Sequence, residues 1–175
     1  MSTVDDKASR ILRLIFRPAM NRQKPYGSLT SEEHYQAARE IGNEGIVLLK
    51  NTPVQKKGTP LLPLDDSKYQ RILVVGDNAV RLLNEGGGSS ELKVKDMISP
   101  LDGMRALYGD KVVYTKGYAA GRPMYGRAEE IPQSVMDSLR TAATELAKEA
   151  DLVILFGGLN KNHFQDCEDG DRVTY

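Results

Sequence analysis

The chain has 175 residues, of which 40% are hydrophobic and 27% charged, a composition typical of a globular domain and not of a disordered or fibrous chain. Lys plus Arg and Asp plus Glu both number 24, so the net charge is zero. The basic excess that attracts nucleic acid or an anionic membrane is therefore absent, and neither is predicted as a partner. The one cysteine, Cys167, excludes an internal disulfide. No segment approaches the roughly 18 to 20 apolar residues of a membrane span, and the residues after Met1 do not form an export signal.

The first 29 residues are predicted to form a helix and a connector. Within 5–17, the apolar residues recur at helical spacing, namely Ala8, Ile11, Leu12 and Ile15. This pattern predicts an amphipathic helix that packs on neighbouring protein, with a membrane-surface anchor as the alternative. Residues 18–29 have no period, which is typical of an extended connector. A domain is predicted from residue 30, where the spacing of Thr30 and Glu33 indicates a capping box that opens a second helix.

Several short apolar segments predict strands. Residues 46–49 and 61–64 are predicted to pair as a hairpin at a sheet edge, because Pro63 cannot donate a hydrogen bond within a central strand. Residues 71–76 and 152–158 are continuously apolar, which favours strands buried on both faces of a parallel sheet. Residues 111–116 predict a further strand.

Two helices are predicted between these strands. Ser99 and Pro100 indicate an N-cap followed by proline at the first helical position, and Gly109 indicates the end of that helix. Its predicted buried residues are Leu101, Met104 and Leu107. A longer helix is predicted from Pro132 to about Ala150, because apolar residues recur there at helical spacing.

Strand, helix, strand, helix, strand is the pattern of parallel βαβ units. The predicted fold is therefore α/β: an open, mostly parallel sheet with helices on both faces, in the manner of an α/β sandwich with flavodoxin-like or Rossmann-like layering. Ligands bind such sheets at the carboxyl ends of the strands. Two segments with unusual composition follow predicted strands there, 84–90 and 159–172.

The glycine-rich segment 86–90 has three interpretations. Glycines after a strand can bring backbone N–H groups close to a phosphate, but neither the dinucleotide-binding fingerprint nor the Gly-Lys-Ser/Thr of a P-loop is present. The segment is otherwise a loop tip without a ligand, or a loop that admits a neutral polar ligand to the hydroxyl groups of Ser89 and Ser90.

The segment 160–172 places four carboxylates within six residues, which indicates either a solvated acidic loop or a site. Gly170 does not have the position that a calcium-binding EF-hand requires, and His163 lacks the companion ligands of a zinc site. Cys167 would be a nucleophile only with an activating base. The remaining chemistry is acid/base catalysis: neighbouring negative charges disfavour the ionised form of Glu168, and a protonated carboxyl group suits glycoside cleavage, which needs a second carboxylate as well.

The chain also resembles a known family over nearly its whole length. Six segments resemble, in order, the second domain of glycoside hydrolase family 3, namely 38–51, 62–64, 72–79, 86–90, 99–101 and 168–172. Residues 10–13 are similar to the end of that family's first domain, a (β/α)8-type barrel. The resemblance implies a retaining, exo-acting β-glucosidase-like enzyme whose active site lies between the two domains. No cofactor or metal is predicted.

The resemblance also assigns roles to particular residues. The barrel supplies the nucleophilic aspartate, and the general acid/base of the second domain falls here on Glu168. Asp171 and Arg172 are expected to fix the Glu168 loop by ion pairing, and Gly88, Ser89 and Ser90 are expected to line the sugar pocket. Asp169 stands where the family usually has glycine, which adds a charge and a Cβ atom at a turn.

The expected organisation is a fragment: residues 1–29 as the linker from a missing N-terminal barrel, and 30–175 as a partial α/β sandwich. A barrel of about 250 residues is expected before it and further strands after it. The expected partners are a carbohydrate substrate and the barrel, and the parent protein is secreted or periplasmic in many members of the family. The alternatives are a non-catalytic module that binds a nucleotide or a sugar, and a domain that self-associates through its exposed sheet edge.

Overall fold

A computed structural model describes residues 2–23, 26–53, 58–82, 92, 94–121 and 130–158. Its internal contacts divide the chain into two compact units, Met1–Leu49 and Lys50–Tyr175. The predicted division is a different one: residues 1–29 as the linker from an N-terminal barrel, and residues 30–175 as a partial α/β sandwich. The two compact units do not test it, and it stays a prediction.

The first unit contains two helices, α1 (Thr3–Met20) and α2 (Glu32–Glu44). Helix α1 begins with a capping box, in which the side chains and backbone N–H groups of Ser2 and Asp5 bond to each other, and it runs further than the predicted 5–17. The N-cap of α2 is Ser31, whose side chain makes no capping hydrogen bond, so the predicted capping box at Thr30 is wrong. Thr30 has a positive φ of 51°, whereas an N-cap needs the extended conformation that Ser31 adopts.

The predicted hairpin of 46–49 and 61–64 is wrong: neither segment is a strand in the structure. Within the second unit, the side chain of Asn51 takes the place of a strand partner for Leu62. Its Nδ2 donates to the Leu62 carbonyl oxygen (2.7 Å), and its Oδ1 accepts from the Leu62 N–H (3.0 Å). A single amide side chain thus satisfies backbone groups that a second strand would otherwise pair.

The second unit is built on a parallel sheet of β1 (Ile72–Val75), β2 (Val112–Thr115) and β3 (Leu152–Leu155) in the order β2-β1-β3. Ile72 is aligned with Val112 on one side and with Leu152 on the other. The three predicted strands and their parallel arrangement are confirmed, with shorter bounds than the apolar segments suggested.

Helices α3 (Pro100–Tyr108) and α4 (Gln133–Ala147) cover opposite faces of this sheet. Val74 and Leu101 of α3 belong to one buried cluster. The neighbouring Val75 points to the other face, where its side chain lies against Gly117 beside Ala143 of α4. The predicted α/β architecture with helices on both faces is confirmed.

Burial differs between strands that the sequence treats alike. All four residues of β1 are buried, whereas β3 exposes Val153 by 45% and Leu155 by 66%. Strand β3 lies at an edge of the described sheet, so the prediction that it is buried on both faces is wrong. Leu107, predicted to be buried, is also exposed. It lies six residues, or about 600°, beyond the buried Leu101, which turns it away from the sheet.

Candidate functional site

The candidate site lies at the carboxyl edge of the sheet. The chain leaves β1 towards β2 on one side, while β3 lies on the other side, so the order of the strands reverses at β1. A crevice of about 450 Å³ opens there. Its lining comes from three segments, with Asn78, Arg81 and Leu82 after β1, Asp96, Met97, Ile98 and Pro100 at the start of α3, and Phe156 and Gly157 after β3. A reversal of strand order of this kind is where open α/β sheets bind ligands.

Gly76 allows the ends of β1 and β3 to approach closely. Its φ is +134°, and a Cβ atom at this position would lie 2.1 Å from the carbonyl oxygen of Phe156. The Phe156 N–H donates to the carbonyl oxygen of Val75 (2.8 Å), which holds the two backbones together. No residue with a side chain fits at Gly76 without moving β3.

Tyr118 and Asn78 join the segment after β1 to the end of β3. The Tyr118 hydroxyl donates to the Phe156 carbonyl oxygen (2.8 Å) and accepts from the Asn78 N–H (3.3 Å). The Asn78 Nδ2 donates to the carbonyl oxygen of Gly158 (3.3 Å). The Oδ1 atom of Asn78 is buried and accepts no hydrogen bond from any residue that the structure describes.

Asp77 is the centre of a buried ion cluster beside this junction. Its carboxylate accepts from Nη2 and Nε of Arg81 (2.7 and 3.1 Å), from the Ala120 N–H (3.0 Å), and lies 3.1 Å from Nζ of Lys116. Burial by itself raises the pKa of Asp77, but the bonds from Arg81, Ala120 and Lys116 outweigh it and hold the pKa below its ordinary value. The Arg81 guanidinium also donates to the carbonyl oxygen of Gly121. The cluster thus ties the segment after β1 to the segment after β2.

Tyr114 supports the same edge from β2. Its hydroxyl donates to the carbonyl oxygen of Gly76 (3.2 Å). Burial, followed by the negative charge of Asp77, raises the pKa of Tyr114, so the hydroxyl stays protonated and keeps this bond at neutral pH.

The predicted site residues lie outside the described part of the chain. These are Glu168, Asp171, Arg172, Gly88, Ser89 and Ser90. The structure describes the residues that lead into the two segments, up to Leu82 after β1 and up to Gly158 after β3. Both lie at the same edge of the sheet.

Sequence reasoning missed the residues that hold this edge together. Asp77 and Arg81 are four residues apart, a spacing at which an ion pair could have been considered, but the sequence places Asp77 only within the family-like segment 72–79 and assigns it no role. Tyr118 is 38 residues from its acceptor Phe156, and no local pattern reports such a contact.

Among the described residues, no group of His, Cys, Asp or Glu side chains is arranged to hold a metal ion. Of the helices that the structure describes, none combines the length and the apolar character of a membrane span.

Comparison with known proteins decides the family. The family model of the glycosyl hydrolase family 3 C-terminal domain matches residues 46–175. The chain belongs to this family. The family 3 domain is 66% identical, over all 175 residues, to the β-glucosidase BoGH3A of Bacteroides ovatus, of which it covers 23%. It is 37% identical over 107 residues (59% of the chain) to a β-glucosidase of Rhizobium radiobacter, of which the match covers 12%. The chain thus spans a quarter or less of the length of these curated relatives.

Solved structures agree with the fold. The β-glucosidase EmGH1 of Erythrobacter marinus matches 82% of this chain and 20% of its own, with a TM-score of 0.63 and 27% identity. A β-glucosidase involved in saponin metabolism from intestinal bacteria matches 87% of this chain and 23% of its own, with a TM-score of 0.60 and 26% identity. The predicted family and fold class are confirmed.

Proposed function

We propose that this family 3 domain is part of a retaining, exo-acting β-glucosidase-like enzyme that hydrolyses terminal β-linked sugars, and that it supplies the general acid/base, Glu168. The observation that carries the proposal is the match to the family 3 model through residue 175, which includes the acidic segment. The names of the relatives, all β-glucosidases, support the reaction. The acidic segment follows β3 along the chain, and the crevice opens at the end of that strand.

The proposed reaction has two steps that share Glu168. In the first, the nucleophilic aspartate of a barrel domain attacks the anomeric carbon, and Glu168 protonates the leaving oxygen as its bond breaks. In the second, the Glu168 carboxylate takes a proton from water, which attacks the same carbon and releases the sugar and the aspartate. The two carboxyl groups must lie roughly 5 to 5.5 Å apart. The partners are therefore a carbohydrate substrate and the barrel domain.

Other residues of the two segments have supporting roles in this proposal. Gly88, Ser89 and Ser90 contact the substrate, where serine hydroxyls can both donate to and accept from sugar hydroxyls. Asp171 and Arg172 form ion pairs that hold the Glu168 loop.

The test is Glu168→Gln in the complete protein, measured on two β-glucosides. On a substrate with a poor leaving group, such as a disaccharide, kcat/KM is expected to fall about 10²- to 10⁴-fold, because the leaving oxygen then needs a proton. On a dinitrophenyl glucoside, whose leaving group departs as a stable anion, kcat/KM is expected to change little. Azide, a nucleophile that needs no base, is expected to restore turnover of the second step and to yield the glucosyl azide.

The matched control is Glu145→Gln, which removes an exposed carboxylate whose partner is Lys148. Both substrates are expected to keep their wild-type rates. An equal loss on both substrates in Glu168→Gln would contradict the acid role. Submicromolar binding of a nucleotide in a calorimetric titration, together with no glycosidase activity of the complete protein, would favour the non-catalytic module instead.

A further inference from the structure

We infer that Tyr118 and Asn78 are positioning residues for the segment that carries the general acid, an inference that rests on the proposed role of Glu168. Both residues bond to backbone carbonyls within the last described residues after β3. Tyr118 holds Phe156 at 2.8 Å, and Asn78 holds Gly158 at 3.3 Å. Residue 159 follows Gly158 directly, so these bonds fix where the acidic segment begins.

The composition of the anchored segment makes such bonds necessary. Gly157 and Gly158 are consecutive, and glycine backbone has more freedom than that of any other residue. Gly158 adopts a φ of +153°. Without hydrogen bonds from outside, two adjacent glycines would let the following segment rotate about several backbone torsions. The bonds from Tyr118 and Asn78 lie on either side of Gly157 and remove much of that freedom.

The short segment that carries Tyr118 is itself held in place. Gly117, with a φ of +67°, packs so closely on Val75 that a Cβ atom would lie 2.4 Å from its Cγ1. Lys116 is bound to the buried Asp77. The two residues before Tyr118 are therefore both fixed, Gly117 to Val75 of β1 and Lys116 to Asp77, which lies two residues beyond the end of β1.

Asn78 shows that the arrangement is not set by packing alone. Its Oδ1 is buried with no hydrogen bond from the described residues, while its Nδ2 reaches Gly158. Buried acceptors without a donor are uncommon in native proteins, and each calls for a reason. A residue kept only for packing would be better replaced by an apolar one, which supports a role for the bond to Gly158.

The test is Tyr118→Phe in the complete protein, which removes one hydroxyl and keeps the ring. On the disaccharide, kcat/KM is expected to fall about tenfold, because a misplaced acid loses proton-transfer efficiency. On the dinitrophenyl glucoside, kcat/KM, which reports the first step, is expected to change less than about twofold, because that leaving group needs no proton.

The matched control is Tyr114→Phe, which removes a hydroxyl that also bonds to a backbone carbonyl at this edge, but to Gly76, directly after β1, and not to the end of β3. It is expected to lower stability without changing the ratio of the two rates. If Tyr118→Phe lowers both rates equally, or leaves both unchanged, the inference is overturned. Should Tyr118→Phe not fold, Asn78→Ala takes its place, because it removes the bond to Gly158. It is expected to lower the rate on the disaccharide relative to the rate on the dinitrophenyl glucoside. An unchanged ratio of these two rates would overturn the inference.

A double mutant separates this inference from the proposed function. In a Glu168→Gln background, Tyr118→Phe is expected to cause no further loss on the disaccharide, because both act through the same acid. If Glu168→Gln discriminates between the two substrates and Tyr118→Phe does not, the positioning role alone fails. If Glu168→Gln does not discriminate, the proposed function fails and the positioning role fails with it.

Discussion

At the scale of single residues, Asp77 is the charge on which the carboxyl edge of the sheet depends. The exposed fractions of its side chain and that of Arg81 are 6% and 14%, whereas Lys116 is 44% exposed. Solvent screens the Lys116 pair, so Arg81 contributes most of the electrostatic stabilisation. A buried pair of this kind is costly to break, because the remaining partner keeps its charge without compensation.

Asp77→Asn is expected to lower the free energy of unfolding at pH 7 by about 3 to 5 kcal/mol, because it leaves the Arg81 charge buried. The folded-state pKa of Asp77 is lowered, so its contribution is fully present above the unfolded-state pKa and is lost as the pH falls through the folded-state pKa. The difference between wild type and variant is therefore expected to shrink in acid, below about pH 4. Urea denaturation at a series of pH values measures it.

The control for this prediction is Asp137→Asn, which removes an exposed carboxylate paired with Arg140. Its effect on the free energy of unfolding is expected to stay within about 0.5 kcal/mol. Equal stabilities of wild type and Asp77→Asn at pH 7 would contradict the assignment of Asp77.

Gly76 and Tyr118 show why residue roles were hard to predict. From its sequence, Gly76 is predicted as the last residue of a strand; in the structure it directly follows β1, and its need to be glycine comes from Phe156, 80 residues later. Nothing near Tyr118 in the sequence distinguishes it from Tyr114. Both roles depend on which backbone lies within reach, and that is a property of the folded sheet.

At the scale of elements, helix α3 was predicted most closely. Ser99 and Pro100 open it and Gly109 ends it, as the sequence analysis expected. The Ser99 Oγ accepts from the Asp102 N–H (3.1 Å) and donates to the Asp102 carboxylate (2.6 Å). These are local interactions within four residues, so the sequence alone contains the information that sets them.

Ser99→Ala is expected to lower the free energy of unfolding by about 1 kcal/mol, because it removes the acceptor for the Asp102 N–H. Thermal or urea denaturation of the full chain measures the change. Ser134→Ala, at an exposed serine in the first turn of α4, is the control and is expected to stay within about 0.5 kcal/mol. The same change in both variants would show that the Ser99 cap does not stabilise the domain.

The strands were predicted less completely than the helices. Continuous apolar segments identified β1 and β3 correctly, yet only β1 is buried on both faces, because β2 and β3 flank it in the described sheet. Residues 46–49 have the same apolar character and are not a strand in the structure. A strand needs a partner as well as a pattern, and partners are chosen by the whole fold.

At the scale of the whole molecule, the chain matches 23% of the Bacteroides ovatus β-glucosidase at 66% identity. The proposed mechanism assigns the two carboxyl groups to different domains. Self-association through the sheet edge, one of the alternative interpretations of the sequence, stays a prediction that light scattering can test.

The 175-residue chain by itself is expected not to hydrolyse an activated aryl β-glucoside, since the nucleophilic carboxylate would be absent. A fluorogenic glucoside measures this, with the complete protein at the same concentration as the positive control. Turnover by the isolated chain that copurifies with it through a second column would overturn the assignment of the nucleophile to another domain.

The amino-acid sequence by itself determined the α/β class, the three strands of the parallel sheet, helices α3 and α4, and the family, because helix caps, apolar periods and family motifs are local patterns. Only the tertiary structure decided that β1 is central and that its end meets the end of β3. The bonds that fix this junction join residues 38 to 80 positions apart, Tyr118 to Phe156 and Asn78 to Gly158. Contacts over such distances depend on the spatial order of the strands in the folded sheet, and no spacing along the chain shows that order.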